Sequence, residues 1–160
     1  MQNERSTKNI GADFIVEPAV EPEEEFVIQG RRIVDINFFI KKIQELNNHS
    51  VIGCTFSDIH LVSEDRRGFK STLKFKCKVC NFDETVPTEA NSEIKNVNTD
   101  AVNGIISIGC GNSNMEELFS ILNIPSMCNK TFIIEHERVS AAWEKTALTE
   151  VKEAADEEKK

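Results

Sequence analysis

The chain of 160 residues has no tyrosine, a single tryptophan and only four prolines and seven glycines. Its aromatic content is carried by ten phenylalanines, so its large aromatic side chains bring almost no polar handle into a core. No apolar run approaches the 18 or so residues that a membrane-spanning helix needs. The polar start, Met1 to Arg5, is followed by no apolar h-region, so secretion is not expected. The phosphate-loop signature is also missing: Gly109-Cys110-Gly111 has neither a preceding strand nor the Lys-Ser/Thr pair. Five cysteines form no even framework. That excludes a disulfide scaffold and suits a reducing, intracellular setting, where closely spaced thiols favour metal.

A net charge of -8 argues against indiscriminate polyanion binding by the whole chain. The charge is unevenly spread, however. Residues 1–30 carry -5, residues 31–80 carry +5 and residues 81–160 carry -8. Only the middle segment suits a polyanion, and its lysines equally suit a solvated face.

The pattern divides the chain into an acidic, disordered leader (1–29), a helix plus β-hairpin module (30–90), a linker (91–97), a helical region (98–157) and a frayed tail (158–160). The fold class expected is α+β: an N-terminal helix, a zinc-ribbon-like β-hairpin and a C-terminal helical region with a long last helix. Asp35 caps the first helix, whose apolar residues Ile36, Phe38, Phe39, Ile40, Ile43 and Leu46 recur at helical spacing. The hairpin turn is expected over Glu64 to Gly68. Beyond it Leu73, Phe75, Cys77 and Val79 share one strand face, and Lys74, Lys76 and Lys78 the other. Asn98 or Thr99 is expected to cap the next helix, Gly109 to Asn112 to break it, and a final helix to run from near Asn129 past Trp143 to about Asp156. Helix, Pro125 turn and helix have the outline of a helix–turn–helix. The second helix mixes Lys130, His136 and Arg138 with Glu135 and Glu137, a surface better suited to packing than to a DNA groove.

The sharpest chemical signal is Cys77-Lys78-Val79-Cys80 with Cys54 upstream. Structural zinc takes four such ligands. Cys54, Cys77 and Cys80 supply three, and His60 is the nearest fourth, with His49 the other candidate. Ser57 stands where a second close pair would be completed. Buried, unliganded thiols are the plainer alternative. Arg66, Arg67, Lys70, Lys74, Lys76 and Lys78 form the candidate nucleic-acid contact set, as point charges to phosphate. Cys110 and Cys128 lack an oriented base, so no nucleophile is named.

The segments GRRIVDINFFIKKIQ, Cys54, RRGFKSTLKFKCKVC and VNTDAVNGIISIGCGNSNMEELFSILNIPSMCNKTF, in that order, resemble the N-terminal part of a Mutator-like transposase domain. The likeness covers about residues 30–158. It implies a relation to cut-and-paste DNA transposases, which use an RNase H-like core, an Asp/Asp/Glu set and divalent metal. It also implies that this chain precedes that core. Relatives commonly show two cysteine pairs, where this chain has Cys54 with Ser57. The family's first catalytic aspartate is expected on a strand after the Ala- and Glu-rich helix in which Lys160 falls. The expectation is therefore a truncated or domesticated transposase fragment, nuclear, binding DNA without catalysis, and without a membrane partner. A protein-interaction or homo-oligomerising module is the alternative.

Overall fold

The computed structural model describes residues 26–47, 49, 53–92 and 96–159. Most of the acidic leader, the residues joining Asn47 to Gly53 apart from His49, and Lys160 lie outside them. The order is α1 (Ile36–Leu46), β1 (Ile59–Arg67), β2 (Lys70–Cys77), β3 (Asp83–Pro87), α2 (Val97–Ser107), α3 (Asn112–Ile121) and α4 (Asn129–Glu157). The strands form one antiparallel sheet in the order β1-β2-β3. The α+β class is as the sequence indicates. Among the described residues no helix is long and apolar enough to cross a membrane.

Asp35 caps α1 by accepting from the Phe38 amide at 3.1 Å. The helix packs along β3, where Leu46, Leu73, Cys77 and Val86 are buried. The helical half has its own core of Val102, Ile105, Met115, Met127, Phe132 and Val139, and the hairpin contributes Phe69 to it. Phe69 packs against Phe119 with ring centroids 4.2 Å apart and the ring planes tilted by 45°. The hairpin tip is thus a plug in the helical core.

Three local features differ from the sequence reading. First, β1 continues through the expected turn and the loop is only Gly68-Phe69, between paired Arg67 and Lys70. Gly68 has φ +66°, at the first turn position, where type II′ hairpins place glycine. The charges at 64–67 do not break the strand because several are satisfied in place. Arg32 donates to Glu64 at 2.5 and 2.6 Å. Arg66 donates to the carbonyls of Gly68, Pro125 and Ser126 at 3.0 to 3.1 Å.

Second, the cap of α2 is Asn96, which accepts from the Asn98 amide at 3.0 Å. Asn98 has a different task. Its amide oxygen accepts from the Phe69 N–H at 2.7 Å, and its amide nitrogen donates to the Arg67 carbonyl at 2.9 Å. A Cβ at Gly68 would stand 2.4 Å from that oxygen, so the turn glycine permits this clamp as well as the backbone angle. Third, β2 ends at Cys77, and Val79 is exposed in the loop beyond rather than continuing the strand face.

Helix ends follow their chemistry. Gly109, at φ +77°, closes α2, with Gly109 and Cys110 donating back to the carbonyls of Ile106 and Ile105. Asn123 closes α3 in the same way, at φ 55°. The Asn123 carbonyl accepts from Arg31 at 2.7 Å, tying the chain before α1 to the helical half. Beyond Val139 every described residue of α4 is exposed.

Removing the clamp should be costly. Asn98→Ala leaves the buried Phe69 N–H unpaired and takes one donor from the Arg67 carbonyl, and a loss of roughly 1–3 kcal/mol in urea unfolding is expected. The Arg32–Glu64 pair gives a pH signature. Arg32 holds the Glu64 carboxyl below its ordinary 4.5, against burial, which pushes it up. A lowered folded pKa contributes stability above the ordinary value, and this is lost as pH falls through the folded one. Arg32→Ala should therefore cost about 2 kcal/mol at pH 7. The gap to the parent should narrow when unfolding is measured below pH 4.

Candidate metal centre and the basic sheet face

The end of β2 makes a tight knuckle. Cys77 N–H donates to the Phe82 carbonyl at 3.0 Å, folding the chain back. The amides of Val79 and Cys80 point at the Cys77 sulfur, at 3.4 and 3.5 Å. The loop before β1 is fastened to this knuckle by Lys78 N–H donating to the Asp58 carbonyl at 2.8 Å. Its own turn is held by the Thr55 amide on the Asp58 carboxylate at 2.7 Å. These bonds bring Cys54 beside Cys77 and Cys80.

The fourth member of the group is His49, just beyond α1. The ligand atoms of His49, Cys54, Cys77 and Cys80 all lie within 4.8 Å of one another. A tetrahedral ion with bonds of about 2.3 Å sets its ligands about 3.8 Å apart, so closure onto a metal needs less than about 1 Å of movement. The His49 ring rests on Phe82 with centroids 4.7 Å apart, and its Nδ1 meets the Leu46 carbonyl at 2.7 Å. A carbonyl only accepts, so Nδ1 carries the proton and Nε2 keeps its lone pair. Nε2 is buried and its polar neighbour among the described residues is the Cys77 sulfur. An imidazole oriented by a carbonyl through one nitrogen, with the other unprotonated, is the usual state of a metal-ligating histidine.

The sulfurs are tuned in opposite directions. Burial raises the Cys77 thiol, but the amides of Cys80 and Val79, helped by His49 and the Cys80 side chain, bring it down to about 6. For Cys80 the Phe82 amide pulls down, yet burial and the sulfurs of Cys77 and Cys54 prevail and its thiol is held up. Packing thiols this closely opposes further ionisation until a cation enters. The donor set, three thiols and one imidazole, could hold a metal ion.

His60, the sequence-based fourth ligand, is not among these four. Ile59 pairs with Cys77 and His60 with Lys76 across the ladder. Cross-strand partners share a face, so His60 stands on the opposite face from the Cys77 sulfur. The signal for His49 is its spacing of five residues before Cys54, which cannot by itself reveal that α1 turns the chain back to the knuckle.

The same register sorts the basic residues. A bulge at Val62 adds one residue between Leu61↔Phe75 and Ser63↔Lys74. With it, Asp65, Arg67, Lys70 and Lys74 on the far side of the bulge share a face with His60 and Lys76 on the near side, the face turned away from α1. Arg66 falls on the packed face, with its guanidinium occupied by carbonyls. Lys78 follows the strand, exposed in the knuckle. Lys74 pairs with Asp83 at 2.9 Å, and Lys70 reaches Asn91 at 2.8 Å and Glu89 at 3.8 Å. The side chains of Arg67, Lys76 and Lys78 have no hydrogen-bond or ion-pair partner among the described residues.

A small antiparallel sheet that gathers three thiols and an imidazole at one end defines a β-module able to hold a metal ion. The family model of the Mutator-like transposases matches residues 30–160, and the chain belongs to that family. Among curated proteins and among solved structures there is no match to the chain.

Cobalt(II) provides an optical readout of the cluster. The parent protein should develop thiolate-to-cobalt and tetrahedral d–d bands at one equivalent. His49→Ala and Cys77→Ser should lose or greatly weaken them, whereas His60→Ala should leave them unchanged.

Proposed function

We propose that this chain is a DNA-binding module of transposase origin that acts in the nucleus, with a structural zinc ion in the His49, Cys54, Cys77 and Cys80 cluster. The observation that carries the reading is the register of β1 and β2, which supports one open sheet face lined by Arg67, Lys70, Lys74 and Lys76. Lys74 and Lys76, on alternate residues of the strand, stand about 7 Å apart, and Thr72 takes the place between Lys70 and Lys74. The spacing of Lys74 and Lys76 matches one phosphate in every two along a DNA strand. Lys78 extends the line into the knuckle.

Zinc suits the cluster because three thiolates and one imidazole are soft, closed ligands that leave no position for substrate or activated water. Its role here is to fix the end of the ribbon, so that Lys76 and Lys78 are presented from a rigid loop. The pairs Lys74–Asp83 and Lys70–Glu89 do not oppose this reading. Partly exposed pairs are worth little and yield readily to phosphate. Arg66 has a structural part: it lies on the opposite, packed face with its guanidinium on the carbonyls of Gly68, Pro125 and Ser126, which keeps it out of the contact set.

The test is a salt titration on a random duplex. Replacing Lys74, Lys76 and Lys78 together with alanine should weaken binding at least tenfold at low salt. It should also reduce the slope of log affinity against log salt by up to about 0.9 for each phosphate no longer neutralised. Equal slopes for parent and triple variant would refute the role of this face.

A further inference from the structure

Where the basic face meets the helical half there is a cleft of about 470 Å³, walled by the hairpin, the chain before α2 and the first turns of α4. Its chemistry differs from that of the rest of the face. Along β2 the polar groups are cations. In the cleft they are a mixture: Arg67 and Asp65 from β1, the amides of Asn91 and Asn96, and Arg138 from α4.

A carboxylate repels phosphate, so this set is poorly made for the DNA backbone. It is well made for base edges. Arginine donates two parallel bonds to guanine, asparagine both donates and accepts at adenine, and aspartate accepts from the cytosine amino group. Several of these groups are uncommitted. The side chains of Asp65 and Arg67 have no partner among the described residues. Asn91 and Asn96 use only their carbonyl oxygens, toward Lys70 and the Asn98 amide. Arg138 is braced rather than free. One of its nitrogens donates to Glu135 at 2.7 Å, and Glu135, 6% exposed, also accepts from Thr99 at 2.7 Å. A guanidinium held at one nitrogen presents its remaining donors in a fixed direction.

Resting on the DNA-binding reading above, we infer that this cleft is where the module reads sequence. Lys70 marks the junction, lining the cleft while belonging to the phosphate-facing row. A DNA strand lying along Lys76, Lys74 and Lys70 is delivered to the cleft, where the asparagine amides, Asp65 and Arg138 meet base edges.

The experiment is selection by the zinc-loaded 160-residue chain from duplex oligonucleotides with a randomised centre, at about 0.15 M salt. The parent should enrich a consensus. Asn91→Ala combined with Arg138→Lys removes one amide and the guanidinium fork but keeps a cation beside Glu135. This variant should bind random duplex within about twofold of the parent, yet discriminate its consensus about tenfold less. The Lys74, Lys76 and Lys78 triple variant should instead lose affinity for consensus and random duplex alike.

An unchanged consensus in the cleft variant would overturn the inference. So would a parent that binds duplex DNA without enriching any sequence, and that outcome would leave the DNA-binding reading standing. A parent that binds no duplex at all would overturn the DNA-binding reading itself. If the double variant melts early by circular dichroism, Asn91→Ala alone decides, because that exposed side chain supports no backbone group.

Discussion

The hairpin turn is fastened to α2 by one side-chain amide. Asn98 offers its oxygen to the Phe69 N–H and its nitrogen to the Arg67 carbonyl, so the hairpin turn is bonded on two sides from α2. A tight turn driven into a hydrophobic core would otherwise bury the Phe69 N–H unpaired. With the clamp in place, Phe69 can sit among Val102, Met115 and Phe132, and the sheet acquires a fixed orientation against the helices. The corner between the basic face and α4 exists because that orientation is fixed.

The sheet itself is organised from its other end. Backbone bonds draw the knuckle back on Phe82 and fasten the Cys54 loop to Lys78. Neither pairing involves a large apolar surface. Small β-modules commonly compensate for such thin cores with a metal ion. Three sulfurs and an unprotonated imidazole nitrogen at one end of the ribbon fit that need. The cluster and the Asn98 clamp therefore hold opposite ends of β2, and the lysines of the ribbon lie between them.

Much of this is visible in the amino-acid sequence. The helical periodicity after Asp35, the Cys77–Cys80 spacing, the Gly109 break and the long final helix all appear as expected, because each rests on interactions within a few residues. The likeness to Mutator-like transposases rests on the order of several motifs rather than on one, and the family match covers nearly the same residues, 30–160. The turn falls later than the charged run at 64–67 suggests, because charged residues usually mark loops. Here Arg32, thirty-two residues before Glu64, neutralises one of them within the strand.

What the sequence determined by itself, then, is chemistry and local form: which segments are helical or extended, which thiols can act together, and that positive charge is concentrated in the middle. What only the tertiary structure decided is which residues meet. One extra residue at Val62 reverses face parity along β1, so that Arg67 rather than Arg66 stands on the face of Lys70 and Lys74. Strand pairing sets His60 across the sheet from the thiols, while the end of α1 brings His49 to them. The assignment of Asn98 to the hairpin rather than to its own helix end depends on where Gly68 comes to rest. Each of these is a long-range coincidence in space, and a pattern of nearby residues carries no record of it.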